Sequence, residues 1–494
     1  MTEPQAEFIS DNFEILSNAT SDGPLLSSGF DATVWRGRAG TDYAGSVYLS
    51  LRGTSSLADL LDDIDLALSG AARAQYVDMI NWWLRETTPA NQNAKQIKLT
   101  SGGDGLYFFT APSATGTGVL NGLGHVELTG HSLGGHLATA FARLFGGQIS
   151  VDHVTTFNSA GFRAASDSIF REIESLIASG SGNYPDSGQQ SNFFGMSGLN
   201  FVANSFFFGQ IGHRVELFNE DGFSNHSMYK LTDSLAVMAA MSKLDSTVTI
   251  GRANEILKAG ANLMPASLEG VVDGLRRLFV SPAASALSIG DASDSAASRV
   301  EFHNAIRELQ ENSFFKLLSG SADLGLVGSN LGSQAKARVG FEEIAALISL
   351  NPMIVSARTI EGRSALESLW QSDEWNTRYQ QWLADKASIQ SDTEAENFTE
   401  QYLEDRSLLL QAIVARNTKD ITNALVRLPN APSDQNLLFR YAEPGTGNVT
   451  TLAVWNSATG SDTRPEQFIY FDDDASHQLA GKEEAKFGDH LYGA

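Results

Sequence analysis

The sequence predicts an α/β protein with a mostly parallel sheet, followed by a helical region and a small β-rich C-terminal segment. Between residues 30 and 245, short strand-like runs alternate with amphipathic helical stretches. This alternation is typical of a parallel sheet with helices on both faces. From 250 to 425 the pattern is helical with no strong strand, and from 436 to 471 β-like runs are separated by turn residues. The expected domains are 1–248, 249–430 and 431–494.

Runs rich in β-branched and aromatic residues predict the strands of the first domain, and apolar residues at helical spacing predict its helices. The predicted strands are 46–51, 125–129, 151–157, 192–196 and 214–218. The predicted helices are 57–68, 75–85, 134–145, 166–178 and 227–244.

Composition limits the classes of function. Lys and Arg number 34 against 58 Asp and Glu, a net charge of −24. Such a surface repels phosphate backbones, so no nucleic-acid partner is expected, whereas a divalent cation or simply a soluble acidic surface is compatible with it. With 0 cysteines, disulfides and thiolate nucleophiles are excluded. No apolar run is long enough for a transmembrane segment, and the N-terminus lacks the pattern of a secretory signal peptide.

The most informative motif is Gly130-His131-Ser132-Leu133-Gly134, a G-x-S-x-G sequence. A predicted strand leads into it and a predicted helix follows, which is the setting of a nucleophile elbow in an α/β-hydrolase. The tight turn strains Ser132 and projects its hydroxyl above the C-terminal edge of the sheet. The backbone N–H of Leu133, at the helix N-terminus, would stabilise a developing oxyanion. Ser132 is therefore the predicted nucleophile.

A second oxyanion donor is expected in the loop after an earlier strand. The strand 46–51 ends in Arg52-Gly53-Thr54-Ser55, where the N–H of Thr54 is well placed. The alternative is that Thr54 or Ser55 only caps the next helix.

Together the two motifs resemble the class 3 lipase family. Leu51 to Ser55 is similar to the family's F-R-G-[ST]-S oxyanion loop, and Thr129 to Gly135 to its G-H-S-L-G-G elbow. The resemblance covers roughly residues 30–245. It implies an α/β-hydrolase fold, hydrolysis of acylglycerol or phospholipid esters without a cofactor for the chemistry, and an oxyanion hole formed by Thr54 and Leu133.

His226 is the predicted general base, by elimination. The order of a triad in this fold is serine, acid, histidine. Of the 9 histidines, His226 follows a late strand in a loop that precedes a helix. The others begin strands, belong to the elbow, or fall in the helical region and the tail.

The third triad member stays open. The loop after the strand 192–196 has no Asp or Glu where class 3 lipases carry an Asp, so the sequence departs from the family there. Asn200 is the tentative choice, because an amide oxygen can also orient an imidazole. The main rival is Asp221. Glu220, Asn158 and Asp186 are further candidates.

Two apolar segments bear on lipid contact. Residues 55–68 form an amphipathic pattern that is either a mobile lid, by resemblance to class 3 lipases, or an ordinary surface helix. Residues 193–208, with Phe206 to Phe208, either line an acyl pocket or belong to the core.

The chain end, Gly488-Asp489-His490-Leu491-Tyr492-Gly493, resembles the opening of a calcium-binding RTX repeat. This resemblance implies the catalytic part of a secreted RTX-type lipase, exported by type I secretion, with calcium bound mainly by repeats beyond the chain end. The alternative is a turn-rich tail on a cytoplasmic protein.

The expected function is a serine ester hydrolase of the lipase or phospholipase A type, with transient contact to a membrane or micelle surface. One alternative is a short-chain carboxylesterase. Another is a catalytically silent hydrolase-fold module for binding or adhesion in a large secreted protein, which the missing Asp favours.

Overall fold

The computed structural model divides the chain into two compact units, Glu3–Leu231 and Thr232–Ala494. A further division at residue 430 stays a prediction. The residues described are 2–19, 28–52, 72–102, 105–162, 166–178, 183–196, 209–220, 226–263, 266–288, 297–327, 340–391, 397–418, 425–427, 436–443, 448–455, 467–471 and 490–492.

A seven-stranded sheet forms the centre of the first unit. In chain order its strands are β1 (Phe13–Ala19), β2 (Ala32–Gly37), β3 (Val47–Leu51), β6 (His125–His131), β7 (Ser150–Phe157), β8 (Gln190–Gly195) and β9 (His213–Leu217). Their order in the sheet is β1-β2-β3-β6-β7-β8-β9. The first three are antiparallel, and every pairing from β3 to β9 is parallel. The mostly parallel α/β fold predicted from the sequence is therefore confirmed.

The helices of the first unit are α1 (Glu3–Asn12), α2 (Ala72–Thr87), α3 (Leu133–Phe145) and α4 (Ser166–Ile177). A further helix, α5 (Met228–Leu244), begins in the first unit and continues into the second. All residues of α3 are buried, because its small residues pack closely on the sheet while Phe141 and Phe145 fill the core. The ring of Phe141 meets that of Trp83 from α2 edge to face, with centroids 4.7 Å apart.

Some elements of this unit were not predicted from the sequence. The strands β1 and β2 extend the sheet at one edge, and β4 (Asn93–Gly102) pairs with β5 (Gly105–Thr115) in a separate antiparallel hairpin. The hairpin escaped prediction because it contains proline, glycines and many hydroxyl side chains. Its buried apolar side chains are few, and the central ones are Ile97 and Phe108.

The second unit is mainly helical and ends in a small sheet, as predicted. Its helices are α6 (Ile250–Gly260), α7 (Glu269–Phe279), α8 (Ala297–Glu311), α9 (Ser313–Leu318), α10 (Phe341–Ile348), α11 (Ile360–Trp370), α12 (Asn376–Ser391) and α13 (Glu400–Thr418). Two short antiparallel pairs interrupt them, in a region where no strong strand was predicted. These pairs are β10 (Asn262–Leu263) with β11 (Ala266–Ser267), and β12 (Ala322–Leu326) with β13 (Met353–Ala357).

Five strands form the C-terminal sheet: β14 (Leu425–Arg427), β15 (Leu437–Ala442), β16 (Val449–Trp455), β17 (Gln467–Phe471) and β18 (His490–Tyr492). Their order is β14-β16-β15-β17-β18. His490 and Tyr492 both bond the carboxylate of Asp405, each at 2.6 Å, so the end of the chain is tied to α13. Within the described ranges, no helix combines the length and apolarity that crossing a bilayer requires.

Candidate active site

Ser132 lies in a strained turn between β6 and α3. Its backbone has φ 57° and ψ −123°, a conformation that costs a non-glycine residue about 1–3 kcal/mol. Hydrogen bonds hold the turn, because the N–H of Ser132 donates to the carbonyl of Phe157 at 2.9 Å. The carbonyl of Ser132 in turn accepts from the N–H groups of Gly135 (3.1 Å) and Ala160 (3.2 Å). The strand–turn–helix context predicted for the motif is therefore present.

The glycines of the motif let β6 and α3 approach each other closely. A Cβ atom at Gly130 would overlap the carbonyl of Gly134 and lie 2.6 Å from the backbone nitrogen of Gly135. At Gly135 a Cβ atom would lie 2.8 Å from the Cβ of Ser159. Because these obstacles are backbone and short side chains, the turn cannot accommodate alanine without moving.

We expect Gly130→Ala to lower the free energy of unfolding by about 3 kcal/mol or more, since overpacking forces the backbone to shift. Gly124→Ala is the matched control, because its Cβ atom would meet nothing within 4 Å. Urea unfolding measures both variants. Equal stability of the two would contradict the close approach of strand and helix.

The hydroxyl of Ser132 has no hydrogen-bond partner among the described residues, although the side chain is only 3% exposed. Leu133 begins α3, and the first N–H groups of a helix have no intrahelical acceptor. Its N–H is thus available beside the serine. The predicted second donor, Thr54, and the segment 55–68 lie outside the described residues.

His226 lies beside the elbow, held by its backbone. Its carbonyl accepts from the Nε2–H of His131 at 2.6 Å and from the Nδ2–H of Asn158 at 3.1 Å. The rings of His131 and His226 are 5.0 Å apart. Neither ring nitrogen of His226 has a hydrogen-bond partner in the described part of the chain, and the residue is 4% exposed. The ring of the predicted base is therefore buried next to the elbow and uncommitted.

Asn158 connects two strand ends with His226. It follows β7 with φ 43°, which asparagine tolerates better than most residues. Its Oδ1 accepts from the N–H of Gly195, at the end of β8, at 3.1 Å, and it is 0% exposed. Its bond to His226 reaches the carbonyl and leaves both ring nitrogens unbonded. Asn158 therefore acts on the position of His226 and not as a hydrogen-bond partner of its imidazole.

The other candidates for the third triad member differ in what the structure says of them. Asn200 and its main rival, Asp221, lie outside the described residues, so both stay predictions. Glu220, directly before the segment 221–225, is buried with 4% exposure. Asp186 is exposed and caps the turn before β8, where it accepts from the N–H of Gly188 at 2.7 Å. That turn is at the opposite end of the strand from the elbow.

Burial keeps the histidines around the elbow neutral. Desolvation, reinforced by the nearby His131, lowers the pKa of His226 to about 4. Desolvation also lowers the pKa of His136, one turn into α3, to about 4. Tyr76 bonds the Nε2 atom of His136, and its own pKa is raised by burial, so its hydroxyl stays a neutral donor. A neutral His226 can accept a proton over the whole physiological pH range.

We expect the pKa of His226 to set the acid limb of the rate profile. A base with a free-enzyme pKa of about 4 stays neutral, and hence active, down to that pH. The ratio kcat/KM for p-nitrophenyl butyrate should therefore fall with a midpoint near pH 4, measured in initial rates between pH 3 and 8. A midpoint near 6.5, the value of an exposed histidine, would contradict a buried base.

It was not predicted from the sequence that the side chains of His131 and Asn158 hold the backbone carbonyl of His226. His131 is the variable residue of the G-x-S-x-G motif, and Asn158 was considered only as a replacement for the acid. The usable signal was an asparagine directly after a predicted parallel strand, since such a position favours positive φ and a hydrogen-bonding amide.

Comparison with solved structures finds a lipase. The chain is similar to the crystal structure of Lip2 lipase from Yarrowia lipolytica, with 16% identity, a TM-score of 0.24, and coverage of 43% of this chain and 69% of that one. No protein-family model matches the sequence, and no curated protein is significantly similar to it. The fold assignment rests on the sheet order and the elbow described above.

Among the described residues, no three histidine or carboxylate side chains converge as a metal site would require. Residues 472–489, which include part of the RTX-like sequence, lie outside them. The expected calcium binding stays a prediction.

Proposed function

We propose that the first unit is a serine ester hydrolase of the lipase or phospholipase A type, acting on carboxyl esters of lipids. The observation that carries this proposal is the strained Ser132 at the elbow, with its hydroxyl unbonded among the described residues. A strained serine on a strand-to-helix turn is the nucleophile arrangement of α/β-hydrolases. The buried His226 beside the elbow supports an acyl-transfer mechanism, because both its ring nitrogens are unbonded within the same residues.

The proposed reaction has two steps. His226 takes the proton of Ser132 as the hydroxyl attacks the ester carbonyl, and the N–H groups of Leu133 and Thr54 stabilise the tetrahedral oxyanion. The alcohol then leaves with the proton from His226. Water, activated by the same imidazole, attacks the acyl-enzyme and releases the acid.

The lipid class of the substrate rests on the two motifs that resemble class 3 lipases. Leu51 to Ser55 and Thr129 to Gly135 supply the resemblance to a family whose substrates are acylglycerol and phospholipid esters. The structural comparison adds only that the chain is similar to a protein named as a lipase.

The test is hydrolysis of p-nitrophenyl butyrate and dispersed p-nitrophenyl palmitate, each with and without calcium. We expect turnover of both esters, with a rate on palmitate that rises once the substrate forms aggregates. Turnover of butyrate alone would replace the lipase proposal by a short-chain carboxylesterase. Absence of turnover on both esters under all conditions would contradict the proposed function.

A further inference from the structure

The hairpin of β4 and β5 has one face packed inward and one face in solvent. Ile97 and Phe108 are buried, with 2% and 3% exposure. In the register of the hairpin, Phe109 lies opposite Lys98 and Tyr107 opposite Thr100. Directly paired residues share a face, so these four side chains form one surface, here named the hairpin face.

The hairpin face exposes two aromatic rings side by side. Tyr107 is 38% exposed and Phe109 is 48% exposed, and they are next-but-one on β5. Among the described residues, the other large aromatic side chain with comparable exposure is Phe8, at 49%. Phe8 packs edge to face on Tyr43, with ring centroids 5.9 Å apart, and belongs to α1 beside the edge strand β1.

The charge of the hairpin is opposite to that of the whole chain. Its described residues carry Lys95 and Lys98 and no carboxylate, whereas the chain has a net charge of −24. Asp104, between the two strands in sequence, lies outside the described residues. Exposed aromatic rings with an adjacent lysine suit the polar boundary of a phospholipid layer, where rings enter the acyl region and the ammonium group meets phosphate.

The end of the hairpin near Leu106 lies on the side of the sheet where Ser132 follows β6. Arg73, in the first turn of α2, donates through Nη1 to the carbonyl of Leu106 at 2.8 Å. One turn further along α2, Tyr76 bonds His136, which is one turn into α3 from Ser132. The helix α2 therefore contacts both the end of the hairpin, at Leu106, and the helix that begins at the elbow, at His136. The end of the hairpin and Ser132 lie on the same side of the sheet.

The hairpin is also held rigidly from its inner side. The N–H of Phe108 donates to the carboxylate of Glu172 in α4 at 3.0 Å. The amide of Asn81 in α2 bonds both the N–H and the carbonyl of Ile97, each at 2.8 Å. A surface fixed on two helices keeps its aromatic rings exposed at little further cost in conformational entropy.

We propose that the hairpin face, with Tyr107 and Phe109 at its centre and Lys98 beside them, docks the protein on a zwitterionic phospholipid surface. This inference rests on the proposed function in one respect, since a lipid ester is presented to the enzyme at such a surface. The net charge of −24 favours a zwitterionic over an anionic surface. Docking there holds the nucleophile side of the sheet near the lipid.

The experiment is co-sedimentation with phosphatidylcholine vesicles, using the full chain with Ser132→Ala so that no lipid is consumed. We expect binding of this protein, and a loss of about tenfold or more when Tyr107→Ser and Phe109→Ser are added, because two exposed rings no longer enter the lipid. Lys98→Glu should weaken binding less than the loss of the two rings, because a carboxylate then meets the lipid phosphate in place of an ammonium group. Phe8→Ser is the matched control, with a ring of similar exposure, and should bind unchanged.

Three results would overturn the proposal. These are no binding to the vesicles, equal binding with and without the two aromatic rings, and an equal loss in the Phe8→Ser control. Size-exclusion chromatography adds a fourth, a dimer that the double substitution converts to a monomer without any effect on vesicles.

Failure of the docking proposal is distinguishable from failure of the proposed function. With Ser132 intact, the protein carrying Tyr107→Ser and Phe109→Ser should hydrolyse p-nitrophenyl butyrate at the rate of the wild type and lose hydrolysis of vesicle phospholipid. Vesicle binding without hydrolysis of any ester contradicts the proposed function alone. Hydrolysis of the soluble ester without vesicle binding contradicts the docking alone.

Discussion

Replacing Ser132 by alanine is expected to lower kcat/KM for p-nitrophenyl butyrate by about 10⁴-fold or more, because loss of the nucleophile removes the acyl-enzyme route. The fold should be unaffected. The hydroxyl has no hydrogen-bond partner in the described residues, so its removal breaks no contact seen there. Initial rates and thermal unfolding of the same preparation measure both effects. Turnover within tenfold of the wild type would exclude Ser132 as nucleophile.

Ser132→Gly tests the same position in a second, independent way. Glycine also removes the hydroxyl, so the variant should be as inactive as Ser132→Ala. It differs in backbone freedom, because glycine adopts φ 57° without the strain that a Cβ atom imposes. We expect Ser132→Gly to be about 1 kcal/mol more stable than Ser132→Ala. The reverse order would show that the turn is not strained by its side chain.

The elbow was predictable because local and global signals agree there. The buried alternation of β6, the glycines at 130 and 134 and the apolar helix behind them each favour the same strand–turn–helix. The strands predicted at 192–196 and 214–218 correspond to β8 (Gln190–Gly195) and β9 (His213–Leu217) for a similar reason, since short runs of large apolar or β-branched residues end at turn residues.

The network around His226 was not predictable from local pattern. His131, Asn158 and His226 are distant in sequence, and their meeting depends on the order β6-β7-β8-β9 in the sheet. Sequence spacing gives the order of a triad but not which side chain bonds which atom. The anchoring of His226 by its carbonyl is a result of tertiary structure, as is the exposure of one hairpin face.

The same network explains how the site can be strained and unbonded at once. An unbonded buried hydroxyl and an unbonded buried imidazole both cost free energy. The backbone contacts of Ser132 with Phe157 and Ala160, and of His226 with His131 and Asn158, stabilise the positions of the two residues without using their reactive atoms. The reactive atoms therefore stay available to a substrate.

A matched pair of histidine variants separates the proposed base from a surface histidine. His125 begins β6 at the end opposite the elbow and bonds Asp152 at 2.6 Å, with nearly half of its side chain exposed. We therefore expect His125→Ala to keep the wild-type rate. A comparable loss of rate in His125→Ala and His226→Ala would contradict a specific role for His226.

His226→Ala is expected to lower kcat by about 10³-fold or more, since no base then takes the proton of Ser132. Added imidazole should restore part of the rate by entering the vacated space.

The pH dependence of stability gives a second test of His226. A histidine with a folded pKa of about 4 is protonated in the unfolded chain below pH 6.5 and not in the folded one, so it destabilises the fold as pH falls from 6.5 to 4. Removing it should reduce the loss of unfolding free energy between pH 7 and 5 by about 2 kcal/mol. Urea unfolding at both pH values measures this difference, and an unchanged loss would mean that His226 is solvated and not buried beside the elbow.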